Sequence, residues 1–369
     1  MQKTRETILE IDLGALAHNY RFMRSKIKEG VKMMGVVKAY GYGSESLEIA
    51  KKLSELGIDY LAVAYTHEGI TLRKAGIEKP ILVLHPQSIN FEAIIENCLE
   101  PNLYSQFVLR EFIKSAEDLN QKNYPVHIKL NTGLNRLGFD PDEISSLLEK
   151  IQQTDAVKVK GIFSHLAASE DWREREFTLK QINSYREMAA RLIEGLRYSP
   201  ILHLCNTSGI FNYPEAAFDM VRTGIGLYGF GNDEGLDKQL KPIGTLKTII
   251  SQIHHLEKGD SVGYNRAFIA SEKTTTATLP IGHADGINRQ YGNGKAGVLI
   301  NGKYAPIIGN VCMDMLMVNI NGIECKEGDE VIIFGGPQHA TDFAAKGNTI
   351  SYELITGISQ RVERHIIQE

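Results

Sequence analysis

Lys38 is the residue from which a chemistry can be argued. It closes the apolar, strand-forming run Met33-Met34-Gly35-Val36-Val37, and Ala39-Tyr40-Gly41-Tyr42-Gly43 then forces a turn before a helical pattern begins. A lysine at the carboxyl end of a buried strand loses hydration, so its pKa falls toward the range where the amine is a nucleophile and can form a Schiff base. The bland alternative is a strand-end lysine whose head reaches water along its own alkyl stem. The rest of the chain decides between the two.

Other polar residues fall at the ends of apolar runs: His85, Lys129 with Arg136 just beyond it, His165, His203 with Asn206, and Arg222. A single histidine of this kind is more often a hydrogen-bonded structural residue than a catalyst. As a set they would converge on one mouth if the runs are strands of one barrel. Asn206-Thr207-Ser208 and Thr223-Gly224-Ile225-Gly226 add small residues, hydroxyls and backbone N–H groups where a phosphate can be held. A Schiff-base lysine together with a phosphate cradle points to pyridoxal phosphate.

The elements that would position these groups alternate in type. The lysine run and Tyr60–Ala64, Ile81–Leu84, Asn102–Tyr104, Val126–Leu130, Val157–Phe163, Ile201–Leu204 and a run around Ile225–Tyr228 make eight strands. Helical patterns fit between them at Glu45–Leu56, Glu68–Ala75, Phe91–Asn97, Val108–Leu119, Glu143–Ile151 and Glu174–Leu196, with a short one after Asn206. Eight strand–helix units with right-handed crossovers predict an α/β fold, a (β/α)8 barrel of the TIM type. The pattern changes after Gly229. Short strands at Leu246–His254, Thr274–Leu279, Gly297–Ile300, Val311–Ile320 and Glu330–Phe334, with a closing helix over about Tyr352–Arg364, predict a smaller mainly-β domain. The boundary is placed so that the barrel spans 1–235 and the β-domain 236–369, with a first strand at about 6–12 free to pair with the second domain.

The 369 residues exceed one compact domain of usual size, and 43% hydrophobic with 23% charged residues is an ordinary globular balance. A formal net charge of −4 gives no footprint for nucleic acid, and no apolar run is long enough to span a bilayer. Met1–Glu10 is polar where a signal peptide needs an apolar segment, so a cytoplasmic protein is expected. Cys98, Cys205, Cys312 and Cys325 are scattered, and they indicate neither a metal site nor a disulfide framework. Cys312, between Val311 and Met313, reads equally as a reactive thiolate or a packed thiol.

Several separated motifs, in order, resemble the alanine racemase family. They are Lys38-Ala39-Tyr40-Gly41-Tyr42-Gly43, the Lys129–Phe139 segment with Thr132-Gly133-Leu134-Asn135-Arg136-Leu137-Gly138, Val221-Arg222-Thr223-Gly224-Ile225, Gly263-Tyr264, His283-Ala284-Asp285-Gly286 and Val311-Cys312-Met313-Asp314. The resemblance runs from Ile11-Asp12-Leu13 to Ser351-Tyr352-Glu353-Leu354. It implies a homodimer with shared active sites that uses pyridoxal 5'-phosphate to interconvert L- and D-alanine, supplying D-alanine for peptidoglycan. By the same resemblance Lys38 carries the cofactor and is the base on one face of the substrate, and Tyr264 reaching across from the other subunit is the base on the second face. Tyr42, Asn206, Thr207, Gly224, Ile225 and Tyr352 match positions around the phosphate. Arg222 matches the partner of the pyridine nitrogen, and His165 the link from Arg222 to the tyrosine. Arg136 and the backbone of Met313 match the substrate-carboxylate side, and Lys129 the lysine that in the family can be carbamylated to orient the arginine. Three positions depart from the common pattern: Thr207 for serine, His283 for tyrosine and Asn310 for arginine. The last two bear on substrate entry.

The chemistry behind these roles is general. Removing an amino acid's α-proton near neutral pH requires the resulting charge to be delocalised, and inversion requires proton-transfer groups on both faces. Two other functions stay open at this stage: an amino-acid decarboxylase on the same barrel, which would release carbon dioxide, and a non-catalytic cofactor carrier, which would lack the second domain.

Overall fold

The computed structural model describes residues 6–336 and 338–368. By their contacts the described residues form two compact units, one of Ala17–Gly41 with Ser46–Leu240, the other of those up to Leu16 with Tyr42–Glu45 and those from Lys241 onward.

The first unit is a closed parallel barrel of eight strands: β2 (Lys32–Val36), β3 (Tyr60–Val63), β4 (Ile81–Val83), β5 (Glu100–Leu103), β6 (Tyr124–Lys129), β7 (Val157–Phe163), β8 (Ile201–His203) and β9 (Met220–Thr223). β9 closes on β2 through pairs such as Met34 with Arg222. β3, β4, β5 and β9 are buried along their whole length, because helices cover the sheet outside and side chains fill it inside. That is why β3 and β4 read as continuous apolar runs rather than alternating ones, while β5 and β9 carry buried polar residues, Glu100, Asn102, Arg222 and Thr223. The amphipathic helices Ser46–Glu55, Gln106–Asp118 and Ile144–Gln152 each bury one stripe, for instance Val108, Leu109, Phe112 and Ala116.

The eighth strand lies earlier than expected. Met220–Thr223 forms it, and Ile225–Tyr228 is a tight helical turn instead, between Gly224 (φ −115°, ψ −90°) and the left-handed Gly229 (φ 97°). Ile225, Leu227 and Tyr228 are buried there, so burial alone produced the strand-like pattern. Arg222 breaks the apolar run of the true strand because its head is bound inside the barrel.

The second unit holds a nine-stranded sheet and a small ribbon. Its strands are β1 (Thr7–Asp12), β10 (Gly244–Ile249), β11 (Gln252–Leu256), β14 (Thr274–Leu279), β15 (Gly297–Ile300), β16 (Lys303–Ile308), β17 (Leu316–Asn319), β18 (Glu330–Phe334) and β19 (Glu363–Ile367), in the order β11-β14-β17-β16-β15-β18-β10-β1-β19. β12 (Ser261–Val262) and β13 (Phe268–Ile269) make the ribbon. β1 runs antiparallel to β10, with Leu9 opposite Leu246, and parallel to β19, with Ile11 opposite Ile366. Two expectations change here. The run Leu246–His254 is two strands, and the closing helix is only Ser351–Thr356, after which Glu363–Ile367 is β19. Arg364-His365-Ile366-Ile367 has no alternation that would mark a strand, and pairing with β1 decides its form. Residues 311–315 form a loop rather than the start of β17. Among the described residues no helix is long and apolar enough to cross a membrane.

Candidate active site

The backbone turns sharply at the end of β2. Val37 still donates to Ala62 O (2.8 Å), and then Ala39, Tyr40 and Gly41 take φ of 53°, 55° and 62°, one left-handed turn. Only the glycine adopts this without steric cost. The turn is held by Glu68, in the first turn of helix Thr66–Lys74, whose Oε1 accepts from the Ala39 N–H at 2.6 Å. Its Oε2 accepts from Ala64 and Tyr65 at 2.7 and 3.0 Å. Glu68 thus ties the ends of two strands together beneath Lys38, a role that an ordinary capping glutamate in the sequence does not announce.

Lys38 is half-buried, and its pKa is lowered first by burial and next by Arg136, with Glu68 opposing. Lys129 is buried at the end of β6, and burial, Arg136, Arg222 and Lys38 bring its pKa down to about 7. Its Nζ lies over the Phe163 ring, 5.6 Å from the centroid. The four cations Lys38, Lys129, Arg136 and Arg222 therefore act on one another. Arg136 is exposed on a loop closed by the Leu130–Phe139 bridge and pinned by Asn131, whose Oδ1 accepts from Gly133 and Asn135 at 3.2 and 3.1 Å.

Arg222 is buried, and its pKa is lowered to about 10 by burial, so it stays charged at neutral pH. Nη1 donates to Nδ1 and O of His203, both at 3.0 Å. Nη2 donates to Ser164 O (2.6 Å), Leu204 O (3.1 Å) and His165 Nδ1 (3.2 Å). Every one of these acceptors is neutral. Burial and the Arg222 charge hold His165 and His203 well below the usual histidine range, so both rings are neutral. A guanidinium only donates, so Nδ1 of His165 is an acceptor and the proton sits on Nε2.

Two short helices begin nearby in the same unit. Asn206 caps helix Thr207–Asn212 by accepting from Gly209 N (2.9 Å), and Ser169 Oγ donates to the same Oδ1 at 2.8 Å. Thr207 Oγ1 lies 3.4 Å from both Thr223 Oγ1 and the Gly226 N–H that donates to it. A Cβ on Gly226 would come 2.8 Å from Thr207 Cγ2, so only glycine lets the Asn206 and Gly224 segments approach this closely. The first N–H groups of such helices have no partner inside the helix and suit an anion.

The second unit holds the other candidates. Tyr42 and Tyr352 have ring centroids 6.3 Å apart, and burial followed by Tyr352 pushes the Tyr42 hydroxyl pKa up. Arg364 grips Gly43 O with Nε and Nη2 at 3.1 and 2.7 Å. Cys312 O and Met313 O accept from His283 and Ala284 N–H at 2.9 and 3.0 Å, and Met313 is exposed. A Cβ on Gly282 would lie 2.4 Å from both carbonyl oxygens, so the two loops require glycine there. Arg361, which carries no motif in the sequence, bridges Asp285 (2.6 and 3.1 Å) and Asp314 (2.7 Å) and locks the same pair of loops. Tyr264 is 70% exposed after the left-handed Gly263. Its carbonyl accepts from Asn310 Nδ2 at 3.2 Å, and Asn310 Oδ1 accepts from Asn293 at 3.2 Å.

The barrel unit thus brings together Lys38, Lys129, Arg136, His165 and Arg222, and it also carries Asn206, Thr207, Gly224 and Ile225. His85 stands apart with Tyr65, Gln87 and Tyr104. His203 lies inside the barrel, fully buried, rather than at its mouth.

Comparison with known proteins gives these features a family. The alanine racemase N-terminal domain matches residues 11–231 and the alanine racemase C-terminal domain residues 243–366. "Alanine racemase 2" of Caldanaerobacter subterraneus subsp. tengcongensis is 37% identical over 98% of this chain and 94% of its own length. The structure of alanine racemase from Clostridium difficile 630 superposes with a TM-score of 0.94 at 35% identity, covering 100% of this chain and 97% of that one. An alanine racemase from Bartonella henselae with covalently bound pyridoxal phosphate gives 0.89 at 29% identity, covering 98% of this chain and 99% of that one. A barrel with a lysine at a strand end, followed by a β-rich unit, here defines an amino-acid racemase, an enzyme of the isomerase class. The chain belongs to the alanine racemase family.

Proposed function

We propose that this enzyme interconverts L- and D-alanine with pyridoxal 5'-phosphate, as a cytoplasmic homodimer with shared active sites that supplies D-alanine for peptidoglycan. The observation that supports this most is the convergence of four basic groups in one barrel, Lys38, Lys129 and Arg222 near strand ends and Arg136 on the loop beyond β6, with Arg222 bound only to neutral acceptors. Such a site fits an anionic cofactor and a carboxylate substrate, and the lowered Lys38 pKa fits an amine that must lose its proton to bond a carbonyl carbon.

When bound, the cofactor supplies a conjugated ring that withdraws electrons from the substrate's α-carbon. Lys38 would hold it covalently. Asn206, Thr207, Gly224 and Ile225 would hold its phosphate, with Tyr42 and Tyr352 assigned there by family resemblance. Arg222 would face the ring nitrogen and, having no proton to give up, would leave it unprotonated. The electron sink is then weak, which favours return of the proton to the α-carbon. Arg136 and the Met313 backbone would orient the substrate carboxylate, with Lys129 steadying Arg136. Lys38 would exchange the α-proton on one face, and the partner subunit's Tyr264, oriented through His165, on the other.

The test is incubation of the purified protein with L-alanine and the cofactor in deuterated water. D-alanine labelled at the α-carbon is the expected product. Carbon dioxide release without D-alanine would replace racemisation by decarboxylation.

A further inference from the structure

A line of hydrogen bonds runs from Arg222 through the barrel interior to the start of β5. Arg222 Nη1 meets His203 Nδ1 at 3.0 Å, His203 Nε2 meets His127 Nδ1 at 3.1 Å, and His127 Nε2 meets Glu100 Oε2 at 2.7 Å. His127 and His203 are fully buried, and Glu100 is 8% exposed. Phe163 stacks on His203 (centroids 4.8 Å, 7°), and Tyr60 meets His127 edge-on at 6.1 Å. Room for the His127 ring is made by Gly161, where a Cβ would lie 2.3 Å from Nδ1. Four polar side chains and a glycine are thus committed to a path that leads away from the reacting groups.

Donor and acceptor roles along the line are set jointly by its two ends. Arg222 can only donate, so it favours the His203 tautomer whose Nδ1 accepts and whose proton is on Nε2. That proton is donated to His127 Nδ1, which leaves the His127 proton on Nε2, pointing at Glu100. An ionised carboxylate only accepts, so it completes the line without conflict. With a donor in its place, His127 could reverse, then His203, and an N–H would confront the guanidinium.

We propose that Glu100 is a positioning residue for the reaction: its carboxylate fixes the tautomers of His127 and His203 and so keeps His203 Nδ1 as an acceptor that orients Arg222. The inference rests on the reading that Arg222 faces the cofactor ring. Glu100 also lines an open cleft with Arg73, Ile77, Pro80 and Cys98, so the line begins at the protein surface.

The experiment is nitrogen-15 NMR of labelled histidines in the wild-type holoenzyme and in Glu100→Gln, with steady-state kinetics on both. In the wild type, His127 and His203 should each carry a proton on Nε2 and none on Nδ1. A protonated Nδ1 on either ring overturns the proposal whatever the variant does. An amide both donates and accepts, so Glu100→Gln should show a second tautomer at His203. Its kcat should fall about tenfold, the lower range for loss of a residue that orients a functional group through a hydrogen bond. KM for alanine should change less than about twofold, since substrate contacts are untouched. A variant with wild-type tautomers and wild-type kcat sinks the inference and leaves the racemase reading standing. Failure of the wild type to form D-alanine sinks that reading, while its histidine spectrum still decides whether Glu100 sets the tautomers.

Discussion

Nη2 of Arg222 lies 3.2 Å from Nδ1 of His165, and this one contact fixes where the histidine keeps its proton. A neutral ring with its proton on Nε2 is a donor toward whatever lies beyond it. In the proposed reaction that would be the tyrosine of the second face, so Arg222 would set both the ring chemistry of the cofactor and the poise of the distal base.

The proposed shared site predicts complementation between two inactive variants. Lys38→Ala and Tyr264→Phe homodimers should both be nearly inactive, whereas a mixed dimer has one doubly damaged site and one intact site. With random exchange of equal amounts, about a quarter of all sites should recover, by two-fold counting. D-alanine formation after subunit exchange measures it. No recovery despite demonstrated exchange places both bases in one chain.

Reductive trapping should mark a single lysine. Borohydride treatment of the holoenzyme and peptide mapping should find the pyridoxyl group on the Lys38 peptide, because Lys38 sits at the strand end beside the other cations. Lys129, also with a lowered pKa, is the natural competitor, and an adduct there would reassign the site.

Arg222→Lys should be far from conservative. One ammonium cannot satisfy His203 Nδ1, His165 Nδ1 and the three carbonyls that the guanidinium serves. Each buried acceptor left unmet costs about 1–3 kcal/mol, so urea unfolding should show a loss of that order or more. Wild-type stability and turnover would mean that water takes over these contacts.

Stability should fall on the acid side. His165 and His203 have native pKa values below their ordinary 6.5, so the unfolded chain binds protons that the folded one refuses. The stabilisation is complete above pH 6.5 and is lost as pH falls toward the native values. With two protons taken up on unfolding, the slope approaches about 2.7 kcal/mol per pH unit. Thermal melts from pH 7.5 downward, paired with measured proton uptake, test it; a flat profile would mean that these rings titrate normally.

Gly161→Ala should destabilise the protein by about 1–3 kcal/mol, the usual cost of overpacking, because the new methyl would meet the His127 ring. A variant that melts like the wild type would show that the ring moves freely.

Sequence made some of this legible and hid the rest for physical reasons. Lys38 stood out because an apolar run ended in a charge and then glycines. β9 did not, because Arg222 interrupts its run while the buried turn at Ile225–Tyr228 mimics a strand. β16 gives a weak strand signal in the sequence, since Pro306 lies within Lys303–Ile308 and proline lacks the donor expected of a paired strand. Of the site, the motif residues were visible one by one. Glu68, Arg361, His127 and Glu100 were not, since each acts on a residue distant in sequence through a contact that spacing cannot show.

The left-handed turn after Lys38 has a further consequence. Ala39 and Tyr40 sit where L-residues lose about 1–2 kcal/mol each, and Tyr42 (φ 52°) continues in the same sense. Sequences that replaced these residues by glycine would relax the turn and give a sturdier protein. They would also free the lysine to wander from its strand end. A stability-guided redesign of this enzyme would therefore be drawn first to the positions that keep the proposed nucleophile punctual, and a more heat-resistant, slower catalyst would be the result.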